Sequence, residues 1–146
     1  MAPGESRDSS SLPLTVIGAG YVGLTTAVCL AHLGHRVCCG EVDEEKVARL
    51  SRGEPTILED GLAELLREGL DTKRLRFVAG AAAAVEGATF VFLCVPTPQR
   101  SDGSADVTVL ESVATEIGPH LAPGAVVVNK STVPVGSALR LSLIHI

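Results

Sequence analysis

Three spaced glycines, in Gly18-Ala19-Gly20-Tyr21-Val22-Gly23, limit what this chain can fold into more than any other stretch. Before them, residues 14–17 (Leu-Thr-Val-Ile) form a short β-branched run that reads as a buried strand. After them, residues 22–33 are rich in Leu, Ala and Val and read as a helix. A strand-to-helix turn gives each glycine a separate task. Gly18 permits the tight turn, and Gly20, lacking a side chain, lets a pyrophosphate approach the backbone. Gly23 lets the helix pack closely on the strand. The helix start adds free N–H groups and the positive end of its dipole. By itself a glycine-rich turn marks only a loop. Here a second strand over residues 36–42 follows the helix and carries Glu41 near its end. That is about the 20-residue offset at which a carboxylate meets ribose hydroxyls. Strand, glycines, helix, strand and acid in this order point to a dinucleotide site.

The remaining pattern continues the alternation. Residues 1–11 are small and polar and read as a flexible leader, with the folded domain starting at residue 13. Gly34 stops the first helix. Asp43 stands as the N-cap of a second helix carrying Lys46, Val47 and Leu50, which Gly53-Glu54-Pro55 breaks. Residues 62–66 read as a short helix, 76–78 as strand three, and 81–85 as a helical turn. Residues 89–95 are almost unbroken apolar sequence and so a central strand, ended by Pro96-Thr97-Pro98. A helix over 109–121 and a fifth strand over 125–128 follow. Strands alternating with helices predict an α/β fold, a Rossmann-like doubly wound parallel sheet, incomplete at its C-terminal end. In such sheets ligands sit beyond the carboxyl ends of the strands. That rule gathers residues 18–23, 41–46, 95–99 and 130–133 on one side.

Composition narrows the function classes. The 146 residues suffice for one domain, and 46% hydrophobic content marks a packed chain. Aromatics are only 3%, so the core is built from Val, Leu, Ile and Ala, as suits a sheet buried on both faces. A net charge of -5 without a basic cluster argues against nucleic acid. No apolar run approaches a signal peptide or the about 20 residues of a membrane span, so the expectation is a cytoplasmic protein without a membrane partner. Cys29, Cys38, Cys39 and Cys94 lie in apolar patterns and read as small buried thiols of a reducing compartment. Cys38 and Cys39 are adjacent, so on a strand they face opposite ways and are poorly placed to share a metal. No metal site is expected.

With these segments in order, the chain resembles the NAD-binding N-terminal domain of the UDP-glucose/GDP-mannose dehydrogenase family. The matching residues are Gly18 through Leu24, Gly34-His35-Arg36-Val37, Asp43-Glu44-Glu45-Lys46-Val47, Gly61-Leu62, Val95-Pro96-Thr97-Pro98 and Lys130-Ser131-Thr132-Val133-Pro134-Val135-Gly136. They span residues 13–140, and the last six residues depart from the family pattern, as a truncated reading frame would. Members of this family oxidise the primary alcohol of a nucleotide sugar to a carboxylate with two NAD in sequence. The resemblance therefore implies NAD as cofactor, a nucleotide sugar such as UDP-glucose as substrate, and a homo-oligomeric parent.

Roles carry over by position. Gly18, Ala19, Gly20, Tyr21, Val22 and Gly23 stand at the family's pyrophosphate turn. Glu41 stands where the family usually has Asp on the ribose, and Lys46 matches a basic residue near the adenosine end, or else is a solvated helix lysine. Val95, Pro96, Thr97, Pro98 and Gln99, with Ser131, Thr132 and Val133, match the walls of the cofactor cleft. Thr132 holds a catalytic water or the nicotinamide end, or else is a turn residue before Pro134. Glu59 matches an acid of a Glu-Pro-Gly-Leu segment, but Asp60 replaces the proline, and Glu59 reads rather as a helix-start acid. His32, His35 and His120 read as capping or solvated, and His145 as part of a frayed tail. The family's nucleophilic cysteine and its catalytic lysine and acid lie beyond residue 146, and none of the four cysteines takes the nucleophile's place. Three readings thus compete. One is the inactive cofactor-binding part of a nucleotide-sugar dehydrogenase acting on UDP-glucose, GDP-mannose or another UDP-sugar. The second is a stand-alone NAD-binding regulatory module. The third, a hydroxyacid or phosphogluconate-type dehydrogenase, is disfavoured by Tyr21-Val22 and by residues 130–136.

Overall fold

The computed structural model describes residues 10–145. The segment expected to be a flexible leader lies mostly outside the described residues. Five strands, β1 (Pro13–Ile17), β2 (Arg36–Glu41), β3 (Leu75–Ala79), β4 (Phe90–Leu93) and β5 (Val126–Asn129), form one parallel sheet in the order β3-β2-β1-β4-β5. The doubly wound reading holds. Helices α1 (Tyr21–His32), α2 (Glu44–Ser51) and α3 (Leu62–Asp71) supply the core on one face with Val16, Cys39 and Phe77. Helices α4 (Ala81–Ala84), α5 (Thr108–Ile117) and α6 (Ser137–His145) cover the other with Ile17, Cys38 and Val91. Cys38 and Cys39 do face opposite sides. Cys29, expected to be buried, is exposed on α1.

Local chemistry explains the element ends. Leu33 closes α1, and Gly34 at φ 103° turns the chain away, its N–H donating to the Ala31 carbonyl at 3.0 Å. The Asp43 carboxylate caps α2, accepting from the N–H groups of Glu45 and Lys46 at 3.0 and 3.1 Å. Helix α3 runs to Asp71, well past residue 66, because Leu66 is buried and Gly69 sits against Leu75 too closely for a side chain: a Cβ there would come within 2.8 Å. Packing overrides the weak helix preference of glycine. The chain from Ser137 to His145 is helical, with Leu141 buried and Arg140 paired to Glu111 of α5 at 2.6 Å, so residues 141–145, expected to be an atypical, frayed tail, continue a helix.

Thr15 is the buried polar residue among those described, and its hydroxyl donates to the Ala84 carbonyl at 2.5 Å, tying β1 to α4. Thr15→Val keeps the shape and strands that carbonyl in an apolar layer. The expected loss is about 1–2 kcal/mol, read as a lower urea midpoint at unchanged slope. An unchanged midpoint would mean that the hydroxyl contributes nothing.

Candidate cofactor site

At the carboxyl end of the sheet, β1 and β4 are neighbours whose following segments leave for opposite faces. Such a point leaves a crevice. Here it is a cleft of about 660 Å³, lined by Gly18, Gly20, Tyr21 and Val22 after β1, and by Glu41, Val42 and Lys46 after β2. Cys94, Val95, Pro96 and Thr97 after β4 and Lys130, Ser131 and Thr132 after β5 complete the far wall.

The glycine turn has the geometry its spacing predicts. Gly18 takes φ 98°, and a Cβ there would lie 2.5 Å from the Cys94 carbonyl oxygen. Its N–H donates to the Gly40 carbonyl at 2.8 Å, locking the turn to β2. A Cβ on Gly23 would lie 1.7 Å from the Gly18 carbonyl oxygen, so only glycine lets α1 start this close to β1. Gly20 is different: no protein atom lies within 4 Å of where its Cβ would be, and its φ of -75° suits any residue. Nothing in the protein requires a glycine there, which leaves the space beside it for a ligand. The N-cap of α1 makes no side-chain hydrogen bond and its first turn carries no acid, so the leading N–H groups have no capping side chain from their own helix.

Glu41 organises the adjacent wall. One carboxylate oxygen accepts from the Ala19 N–H at 2.9 Å, and the other accepts from the Asp43 N–H at 3.3 Å. The Lys46 ammonium sits 3.6 Å from it, and both side chains are largely shielded, at 26% and 12% exposure for Lys46 and Glu41. Lys46 is therefore a half-buried partner of Glu41 rather than a solvated lysine. The opposite wall is stitched across β4 and β5. The Thr97 hydroxyl donates to the Thr132 carbonyl at 2.7 Å, and the Ser131 hydroxyl donates to the Val95 carbonyl at 2.8 Å. Burial pushes the Cys94 thiol upward in pKa, with the charge of Lys130 acting the other way. A protonated thiol in that position is a wall, not a nucleophile.

Not every residue expected at the site reaches it. Ala19 is fully buried and contributes its N–H to Glu41, and Gly23 is buried beneath the turn. Pro98 and Gln99 lie in the loop beyond the wall, where Gln99 bridges to Ala105, and Val133 packs against the core on the α5 face. The cleft takes in Val42 and Lys130, from segments already expected on this side though not singled out as site residues, and it also gathers residues that sequence reasoning missed: Ala81, Val109, Val113 and Glu116. Val42 is 80% exposed directly after Glu41, an apolar side chain with no core to fill. That exposure on the strand end is a signal only once the cleft is seen. Glu59 also does more than start a helix. Its carboxylate accepts the Tyr21 hydroxyl, tethering the segment before α3 to the start of α1 and raising the tyrosine's pKa through that bond and the nearby charge. Among the described residues, no group of three His, Cys, Asp or Glu side chains could hold a metal ion.

A parallel doubly wound sheet with a glycine turn, a helix start without a side-chain cap and a carboxylate at the end of the second strand defines a dinucleotide-binding domain. Residues 13–145 match the UDP-glucose/GDP-mannose dehydrogenase family, NAD binding domain, and the chain belongs to that family. Among its relatives, the UDP-glucose 6-dehydrogenase of Pseudomonas aeruginosa is 52% identical over 128 residues, covering 88% of this chain and 28% of the relative. UDP-glucose 6-dehydrogenase TuaD of Bacillus subtilis is 40% identical over 85% of the chain and 27% of its own length. The solved UDP-glucose dehydrogenase of the hyperthermophilic archaeon Pyrobaculum islandicum superposes with a TM-score of 0.86 at 38% identity, covering 98% of this chain and 35% of that one. The chain thus spans under a third of the curated relatives it matches, and its cofactor is NAD.

Proposed function

We propose that the chain provides the NAD-binding part of a cytoplasmic, homo-oligomeric dehydrogenase that oxidises UDP-glucose to UDP-glucuronate. The observation that carries this reading is the open space beside Gly20 at the start of α1, inside a cleft whose adjacent wall holds Glu41. The likeness to UDP-glucose 6-dehydrogenases supports the substrate. The four thiols are free cysteines, in keeping with a reducing compartment.

In this reading NAD, when bound, supplies the hydride acceptor. The chain's own residues bind and orient it. Gly18, Gly20, Tyr21 and Val22 bring backbone N–H groups to the pyrophosphate, and Gly23 sets how close the helix comes. Glu41 accepts from ribose hydroxyls with lone pairs left over after Ala19 and Asp43. Lys46 steadies Glu41, and Val42 gives an apolar bed at the adenosine end. Val95, Pro96, Thr97, Ser131 and Thr132 form the wall toward the nicotinamide end, with Pro98, Gln99 and Val133 holding that wall from behind. Thr132 is the residue nearest to a catalytic role, through its place on the cleft rim.

The 146-residue chain is expected to bind NAD and to leave UDP-glucose unoxidised. Oxidation to the acid needs a nucleophile to hold the aldehyde between two hydride transfers, and Cys94 is unsuited to it. Steady NADH absorbance from purified chain, UDP-glucose and NAD, above a Gly20→Val control, would refute this. A full-length chain assayed with UDP-glucose and GDP-mannose side by side fixes the substrate, and activity with neither overturns the proposal.

A further inference from the structure

At the opposite end of the sheet from the cofactor cleft lies a second cavity of about 230 Å³. Arg36, Lys73, Arg74 and Arg76 line it, with Thr15 at its floor and Glu86 on its rim. These are four of the chain's 12 Lys and Arg residues, in a chain of net charge -5. The sequence shows only a scattered pair of segments; the sheet brings them together. Val37 pairs with Leu75 and Cys38 with Arg76, and the Val37 N–H donates to the Arg74 carbonyl at 2.6 Å. Arg36 and Cys38 alternate to the same side of β2, and Arg76 of β3, paired with Cys38, shares that side. Arg36 and Arg76 therefore stand on the side of α4, and Arg74, just before β3, lines the same cavity.

Helix α4 is a single turn, Ala81–Ala84, too short to cover this end of β2 and β3. The arginine stems can cover the exposed sheet, but that requires no cluster of like charge. Among the described residues none of the four cations pairs with a carboxylate. Like charges crowded at one cavity repel each other unless an anion is present. Three guanidinium forks and an ammonium around a small hollow match the oxygens of linked phosphates, which arginine binds in bidentate fashion.

From this arrangement we infer that the cavity formed by Arg36, Lys73, Arg74 and Arg76 binds a short chain of phosphates, inorganic or borne by a nucleotide. The site is separate from the glycine turn and does not depend on NAD binding there.

The test is calorimetric titration of the 146-residue chain with inorganic tripolyphosphate and, in a second arm, with a nucleoside triphosphate, each with and without saturating NAD. One saturable site is expected, weakened by rising salt and unchanged by NAD. Arg74→Gln/Arg76→Gln should weaken it at least about tenfold through loss of charge-assisted bonds, with NAD affinity unchanged. If the double variant fails to fold by far-ultraviolet dichroism, Arg74→Gln alone serves, and Arg74→Lys should recover only part of the affinity. Equal binding in both arms assigns the phosphate chain alone as ligand; tighter nucleotide binding assigns a nucleotide. No saturable binding, or binding that NAD displaces and the arginine variants leave intact, overturns the inference and leaves the arginines as cover for an edge strand. Failure of NAD to bind would strike the proposed function and leave the arginine comparison readable.

Discussion

Gly20→Val is expected to abolish NAD binding and leave the fold intact, whereas Gly23→Ala is expected to damage both. The two glycines lie three residues apart in one motif, yet their surroundings are opposite. A Cβ at Gly20 meets no protein atom within 4 Å, and the backbone there is extended, so valine fits the free protein. Its methyl groups then occupy the volume in front of the α1 start, where the pyrophosphate would sit. A Cβ at Gly23 would lie 1.7 Å from the Gly18 carbonyl oxygen and 3.2 Å from the Cys94 Cβ. No side-chain rotation relieves a clash with backbone, so α1 must move off β1. Overpacking of this kind costs about 3 kcal/mol or more, a drop of about 10 °C in Tm for a chain this size. Thermal melts followed by dichroism and NAD titration by fluorescence read both variants. A Gly20→Val protein that binds NAD as well as the parent would remove the glycine turn from the phosphate site. A Gly23→Ala protein with unchanged Tm would show that α1 can shift without cost.

The second large effect concerns the choice between NAD and NADP. In the proposed reading Glu41 faces the ribose; its carboxylate is shielded from water at 12% exposure, and a 2′-phosphate brought there would meet like charge at close range. Lys46, 3.6 Å away, offsets part of that repulsion but is already engaged by the carboxylate. NAD is therefore expected to bind much more tightly than NADP. Glu41→Ala removes the acceptor and frees Lys46 to meet a 2′-phosphate. The NAD-to-NADP affinity ratio should fall at least about tenfold, the scale of one lost charge-assisted hydrogen bond. Adding Lys46→Ala should take back the gain for NADP. An unchanged ratio in Glu41→Ala would mean that Glu41 serves only the turn, through the Ala19 and Asp43 N–H groups it already holds.

Much of this protein was legible in one dimension because its signals are local. The run at residues 14–17, the glycines behind it and the acid at Glu41 each sit within a few residues of the feature they specify, and strand alternation with helices leaves one reasonable sheet type. Asp43 capped α2 as its side-chain chemistry requires. Boundaries went astray where a distant neighbour decides. Helix α3 extends to Asp71 because Leu75 receives Gly69, and residues 141–145 are helical where α6 packs on α5.

The site divides in the same way. The spacing predicts different tasks for Gly20 and Gly23, and the structure leaves open space beside Gly20 while packing Gly23 against the Gly18 carbonyl. The sequence alone also put Glu41 at the end of β2, where the proposed reading expects the ribose. Only the tertiary structure decided that Lys46 lies against Glu41, that Val109, Val113 and Glu116 line the cleft, and that Val133 does not. It alone brought Arg36 to Arg74 and Arg76, through a parallel ladder joining strands more than 30 residues apart. Covalent neighbours are set by the chain, but which side chains share a wall is set by sheet order and register, and those are satisfied only when the whole core packs.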